Sequence, residues 1–203
     1  MKLGFFLIRL LGPVVRVCMR VRVVGGDNIP KTPGEPPLVL CCNHISNWDP
    51  VLLIASQPRH VYFMAKAELF KNRLFAWLLG KQFGAFPVKR GSGDTGALDT
   101  AKQLVQEGKL MGIFPEGTRS KDGKMLRPKS GAALIVAQTG AWVLPVAVVT
   151  KHQKIRPFRP VTLVFGKPLS PEELGLADAE HPDLRHGSRR IMEAIAALVE
   201  EQS

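Results

Sequence analysis

The stretch "LVLCCNHISNWDPVLLIAS", Leu38 to Ser56, holds a strand, a polar loop and the start of a helix. Leu38 to Cys42 is an unbroken apolar run, the pattern of a strand covered on both faces rather than one. Asp49 and Pro50 then open a second apolar segment in the manner of a helix N-cap followed by proline at the first helical position. A strand buried on both faces and followed by a helix is half of a parallel βαβ unit. The loop between them carries Asn43, His44, Ser46 and Asn47, groups that are costly to bury unless paired. His44 and Asp49 are close enough in sequence for one turn to bring carboxylate and imidazole together. They read as metal ligands, as a general base with its orienter, or as a loop histidine beside a helix cap. This stretch alone leaves the last two evenly matched, and a metal site lacks a second cluster with ligand spacing.

Outward from this unit the same alternation continues. "MRVRVV", "VYFMA", "GAFPV", "KLMGIF", "WVLPVAVV" and "RPVTLVFG" read as strands. "ELFKNRLFAWLLGK", "DTGALDTAKQLVQEG", "KSGAALIVAQTG" and "DLRHGSRRIMEAIAALVEEQ" read as helices. The expected fold is α/β: a single domain with a mostly parallel mixed sheet flanked by helices. The last two strands follow each other without a helix, so part of the sheet is expected to be antiparallel.

The chain has 203 residues, 45% of them apolar, enough for one well-filled core. Its 28 Lys and Arg against 17 Asp and Glu give a formal charge of +11. Such a surface attracts phosphate esters, nucleic acid, acidic proteins or anionic lipid. Nucleic acid is disfavoured because aromatic residues are few and are not interleaved with the basic runs. The 3 cysteines have no metal-binding spacing. Adjacent Cys41 and Cys42 point to opposite faces of a strand and make no ready disulfide.

Residues 1–19 form a separate unit, apolar but interrupted by Arg9 and Arg16, too short for a comfortable membrane span of ~20 apolar residues. Lys2, Arg9, Arg16 and Arg20 fall on one helical stripe, the pattern of an amphipathic helix lying in a membrane interface. The domain proper is expected over residues 20–203. The protein is expected at the cytoplasmic face of an anionic membrane surface, peripheral or monotopic.

Two further stretches bear on chemistry. "GIFPEGTRSKDGK" puts Glu116, Gly117, Thr118 and Arg119 just past a strand, where ligands of α/β sheets bind. Gly117 permits close backbone approach, and the Arg119 fork matches a phosphate. "GAFPVKRGSGDTGAL" matches the literal dinucleotide pattern through Gly91, Gly93 and Gly96. However, two strands precede it, and Lys89 with Arg90 intrude before the glycines. It reads more simply as a loop leading to an Asp94 helix cap, with Lys89 and Arg90 as a phosphate-holding pair. The sequence contains neither a G-x-S-x-G elbow nor a Walker loop.

Taken together, "NHISNWD" (Asn43 to Asp49), "GAFPVKR" (Gly84 to Arg90), "FPEGTRS" (Phe114 to Ser120) and "VLPVAV" (Val143 to Val148) resemble, in order, the four blocks of the glycerolipid acyltransferase family, specifically the 1-acyl-sn-glycerol-3-phosphate acyltransferases. The resemblance covers roughly residues 36–150. It implies acyl transfer from a thioester donor, acyl-CoA or acyl-carrier protein, to the free hydroxyl of lysophosphatidic acid, giving phosphatidic acid for phospholipid synthesis. His44 would be the general base and Asp49 its orienter. Asn43, Lys89, Arg90, Glu116, Gly117, Thr118 and Arg119 would bind substrate. No cofactor and no metal are implied. The alternatives are a relative acting on glycerol-3-phosphate or a lyso-aminolipid, and a non-catalytic lipid-binding protein of the membrane surface.

Overall fold

The computed structural model describes residues 3–30, 36–89, 94–120, 124–151 and 154–202, with side chains described from Leu10 onward. Helix α1 (Leu3–Cys18) leads into strand β1 (Val21–Val24). Strand β2 (Leu38–Cys42), helix α2 (Asp49–Ala55) and strand β3 (Val61–Lys66) follow. A short helical region then precedes β4 (Ala85–Val88), α4 (Thr95–Gln106) and β5 (Leu110–Ile113). The label α3 denotes the one α-helical turn in that region, Arg73–Ala76. Helix α5 (Gly131–Thr139), β6 (Trp142–Val149), β7 (Val161–Phe165) and α6 (Leu184–Glu200) complete the chain.

The strands form one seven-stranded sheet in the order β1-β7-β6-β2-β5-β3-β4. Five of them, β6 through β4, are mutually parallel, while β7 pairs antiparallel with β6 and carries β1 parallel to itself. The mixed α/β sheet expected from the sequence is therefore present, and the antiparallel step falls between the two strands that lack an intervening helix.

The unbroken apolar run of β2 is explained by its place: it lies between β5 and β6, and every one of its residues is buried. Its faces diverge as a strand requires. Val39 and Cys41 join the core beneath α4, α5 and α6, whereas Leu38, Leu40 and Cys42 join the core beneath α2. All three cysteines are free. Helix α4 starts as its sequence indicates, with the Asp94 carboxylate accepting from Ala97 N. Gly140, at a left-handed φ of 65°, ends α5.

Two local expectations are corrected. "ELFKNRLFAWLLGK" is not one helix. It divides into a 3-10 turn (Ala67–Phe70), α3 capped by Asn72, and a π-helical segment (Trp77–Gln82). The Asn72 side chain accepts from Leu74 N and Phe75 N, so a helix start is built into the middle of the apolar period. Asp49 is not the N-cap of α2 either. Trp48 holds that position, and Asp49 is the first helical residue with its side chain turned back over the preceding loop.

Helix α1 does not stand clear of the domain. Gly12 lies against the backbone of Ala55 in α2, and Met19 is buried in the α2-side core. The opposite side of α1 is bare: Leu10, Leu11, Val14 and Val17 are all exposed. Among the described residues, no helix is long and apolar enough to cross a membrane.

Candidate active site

The site assembles at the carboxyl ends of neighbouring parallel strands. His44 leaves the end of β2, and Phe114 to Ser120 leave the end of the adjacent β5. Two hydrogen bonds stitch these loops together. His44 N donates to the Glu116 carboxylate (2.8 Å), and Ser120 N donates to His44 O (2.9 Å).

The His44 ring is held on two sides. Its Nδ1 lies 2.8 Å from Asp49 Oδ2. The same carboxylate oxygen accepts from Ile45 N and Ser46 N, each at 2.8 Å. Asp49 is fully buried and His44 nearly so, at 0% and 7% exposure. A carboxylate can only accept, so Nδ1 carries the proton and Nε2 presents a lone pair. Nε2 makes no hydrogen bond with any described residue. On its flat face the imidazole stacks on Phe114 (centroids 4.1 Å), and Phe114 stacks in turn on Phe63 (5.8 Å).

That aromatic stack depends on Gly112. A Cβ there would collide with the Phe63 ring, so only glycine lets Phe63 lie across β5 and back Phe114. Neither Gly112 nor Phe63 stands out in the sequence. Their role follows from the register of β3 against β5, which pairs Phe63 with Gly112.

Asn43 and Glu116, expected among the substrate-binding residues, are engaged otherwise. The Asn43 side chain donates to Val148 O (3.1 Å) and accepts from Val148 N (2.7 Å), clamping the end of β2 to β6. Glu116 is 3% exposed, and its two oxygens accept from His44 N (2.8 Å) and Leu126 N (2.9 Å). Burial pushes its carboxyl above the ordinary range, with those amides working against the shift. Both side chains spend their polar atoms on backbone, so they shape the loops that carry the site. Cys42 lies beside them, its thiol pushed up by burial and by the nearby acidic groups. Cys41, on the other face, is pushed up to about 12 by burial alone.

Thr118 and Arg119 are exposed. Gly117 takes a left-handed φ of 68°, and the stem of Lys129 packs where its side chain would stand. Lys129, which the sequence reading passed over, is fixed there by its own N–H donating to Pro115 O (2.8 Å). Its only sequence signal is a cation just before a helix. Lys89 leaves the end of β4 with its N–H donating to Asp94 (2.9 Å). Arg90 lies outside the described residues. Beside the loop is a cavity of about 510 Å³, with Met64, Val88, Leu98, Ile113, Phe114 and Leu134 on its walls. Lys89, Gly117 and Lys129 also line it.

Comparison with known proteins identifies the family. The family model named Acyltransferase matches residues 20–149. The chain belongs to the acyltransferase family. It is 30% identical over 185 residues to the 1-acyl-sn-glycerol-3-phosphate acyltransferase of Bacillus subtilis, covering 89% of this chain and 87% of that one. It is 33% identical over 122 residues to the 1-acyl-sn-glycerol-3-phosphate acyltransferase of Streptococcus pneumoniae, covering 59% of this chain and 44% of that one. The crystal structure of the 1-acyl-sn-glycerophosphate (LPA) acyltransferase PlsC from Thermotoga maritima superposes with a TM-score of 0.75 at 28% identity, over 98% of this chain and 79% of that one. The match to PlsC covers nearly the whole length of this acyltransferase.

Proposed function

We propose that this acyltransferase moves a fatty acyl group from a thioester to the free hydroxyl of 1-acyl-sn-glycerol-3-phosphate, giving phosphatidic acid. The observation that carries the reading is the buried His44–Asp49 pair, with Nδ1 committed to the carboxylate at 2.8 Å and Nε2 left to a substrate. The relatives at about 30% identity bear that activity in their names, which supports the choice of acceptor.

In this mechanism Nε2 takes the proton of the acceptor hydroxyl as its oxygen attacks the thioester carbonyl. The new C–O bond forms while the carbonyl π electrons move onto oxygen. Collapse of the tetrahedral intermediate breaks the C–S bond, and the imidazolium returns its proton to the departing thiolate. Asp49 stabilises the transient imidazolium and fixes the ring's tautomer. General-base help of this kind is worth ~10²–10⁴-fold. The rest must come from positioning two substrates and from donors to the oxyanion.

The phosphate of the acceptor is read as held by cations around the cleft. Lys129 is added here to the Arg119, Lys89 and Arg90 set, because its stem crosses the Gly117 loop and it forms no ion pair among the described residues. The apolar cavity behind Phe114 suits a hydrocarbon chain. The bare apolar face of α1 suits the surface of a membrane, the phase that holds both acceptor and product. Acyl-CoA and acyl-carrier protein both present anionic groups that a chain of charge +11 attracts.

The deciding experiment is a donor-by-acceptor matrix with purified protein. Turnover is expected with lysophosphatidic acid and a long-chain thioester, with a loss of at least ~10²-fold in His44→Ala at unchanged melting temperature. Near-wild-type turnover by His44→Ala would refute the mechanism, and preference for a phosphate-free acceptor would refute the substrate.

A further inference from the structure

Among the described residues, two other than glycine hold a positive φ: Arg20 at 45° and Phe158 at 62°. They sit at one junction. Arg20 lies between α1 and β1, and Phe158 lies in the connection from β6 to β7. Phe158 N donates to Cys18 O (2.7 Å), and Val161 N donates to Arg20 O (3.4 Å). Left-handed backbone at bulky residues is strained and persists only where the surroundings enforce it, commonly at functional sites.

The connection turns through Arg156, Pro157, Phe158 and Arg159, closed by Arg159 N donating to Arg156 O (3.2 Å). Proline second and positive φ third is the type II pattern, whose third position belongs to glycine or asparagine. Here it holds a phenylalanine, and that residue is 70% exposed. Ile155 and Val161 anchor the two ends in the core, while residues 156–160 are all exposed.

The turn is hydrogen-bonded to the end of α1, which carries both exposed apolar residues and arginines. Val17 is 75% exposed, one residue before the carbonyl that receives the Phe158 N–H, and Leu10, Leu11 and Val14 continue its face along α1. Arg16 and Arg20 line a shallow pocket with Pro13, Val17 and Val21. Arg16, Arg20, Arg156 and Arg159 form no ion pair among the described residues.

We propose that the Ile155–Pro160 turn is a second membrane-contact element, which inserts Phe158 into an anionic bilayer beside α1 while the four arginines engage lipid phosphates. It deepens the membrane-surface reading above and rests on it. An exposed aromatic residue in a turn with Arg156 and Arg159, joined to an α1 end that carries Arg16 and Arg20, fits the headgroup boundary, where the ring enters the acyl edge and each planar fork meets a phosphate. The strain at Phe158 is then the cost of holding the ring outward.

The test uses the full chain and vesicles of phosphatidylglycerol mixed with phosphatidylcholine. Wild type is expected to cosediment with them. Phe158→Gly should bind about tenfold more weakly, the order that partial burial of a phenyl ring supplies. Its melting temperature should hold or rise, because glycine suits the positive φ. Phe158→Asn, which also tolerates that backbone, should show the same loss of binding. Replacing Arg156 and Arg159 together by Ser should weaken binding to the mixed vesicles and leave pure phosphatidylcholine unaffected. Wild-type binding that both Phe158 variants retain in full overturns the proposal and leaves the α1 reading standing. Absence of wild-type binding overturns both. A wild-type dimer without lipid that Phe158→Gly dissociates would assign the turn to self-association and likewise overturn the proposal.

Discussion

Replacing Asp49 separates charge from hydrogen bonding at the centre of the site. In Asp49→Ala, three donors lose their acceptor: the ring Nδ1–H of His44 and the amides of Ile45 and Ser46. The two amides are half-buried and can reach water, so each costs near the low end of the ~1–3 kcal/mol for an orphaned donor. With the buried ring N–H added, the expected loss of stability is about 3 kcal/mol, or a fall of roughly 6–12 °C in melting temperature for a chain of this size. Asp49→Asn keeps an oxygen facing the three donors. It loses their charge assistance and places an NH₂ where Oδ1 has no partner among the described residues. Its expected loss is about 1–2 kcal/mol. For turnover the order differs. Both variants lose the anion that stabilises the imidazolium, so both should fall by ~10²–10⁴-fold, equivalent to about 3–5 kcal/mol of barrier. The signature is a well-folded Asp49→Asn that is nearly as inactive as the less stable Asp49→Ala. Thermal melts and initial rates on the same preparations measure both quantities. Turnover of Asp49→Asn within a few-fold of wild type would show that the carboxylate is structural and that the base needs no counter-charge.

Three other outcomes follow from the same geometry. Glu116→Gln removes a buried carboxyl held above its ordinary range. The stability contributed by such a group is present below the unfolded value of about 4.3 and is lost as pH rises through the folded value. The stability of wild type relative to Glu116→Gln should therefore be greatest near pH 4 and fall as pH rises toward neutrality in denaturant melts; a relative stability that rises with pH contradicts the assignment. Gly112→Ala forces the Phe63 ring to move, at a cost of about 1–3 kcal/mol, and should lower kcat by displacing Phe114 from behind His44. Wild-type kcat in that variant would remove the aromatic stack from the mechanism. Finally, Cys41 and Cys42 are buried with their thiols pushed up, and Cys18 is half-buried. Iodoacetamide at pH 8 should add at most one label to the native protein, by mass spectrometry, and label all 3 cysteines once it is unfolded.

The residues differ in how far their roles could be read from sequence. β2 could be read because a strand buried on both faces must be apolar throughout, and "LVLCC" is. The opposite orientations of Cys41 and Cys42 followed from strand geometry alone. The Asp94 cap of α4 was legible because an N-cap is a local bond between residues close in sequence. "ELFKNRLFAWLLGK" misled because its apolar period is helical throughout, while the Asn72 cap starts a new helix within it. The backbone bonds of Asn43 and Glu116 were not legible, for a different reason. A polar side chain in a catalytic loop looks the same in sequence whether it faces substrate or backbone, and the partners Val148 of Asn43 and His44 of Glu116 are distant in sequence.

By itself, then, the sequence determined the alternation of strands and helices, the two-faced burial of β2, and the candidate pair His44 and Asp49. These rest on periodicity, apolar runs and close spacing, which are properties of neighbouring residues. Only the tertiary structure decided that the carboxylate meets Nδ1 at 2.8 Å, that Glu116 binds the backbone of His44, and that Gly112, Phe63 and Phe114 form the wall behind the imidazole. The His44–Asp49 pair is local, and there the structure decided which ring nitrogen meets the carboxylate; the other contacts join β3, β5 and the loops after β2 and β5, strands that become neighbours only when crossover connections set the sheet order.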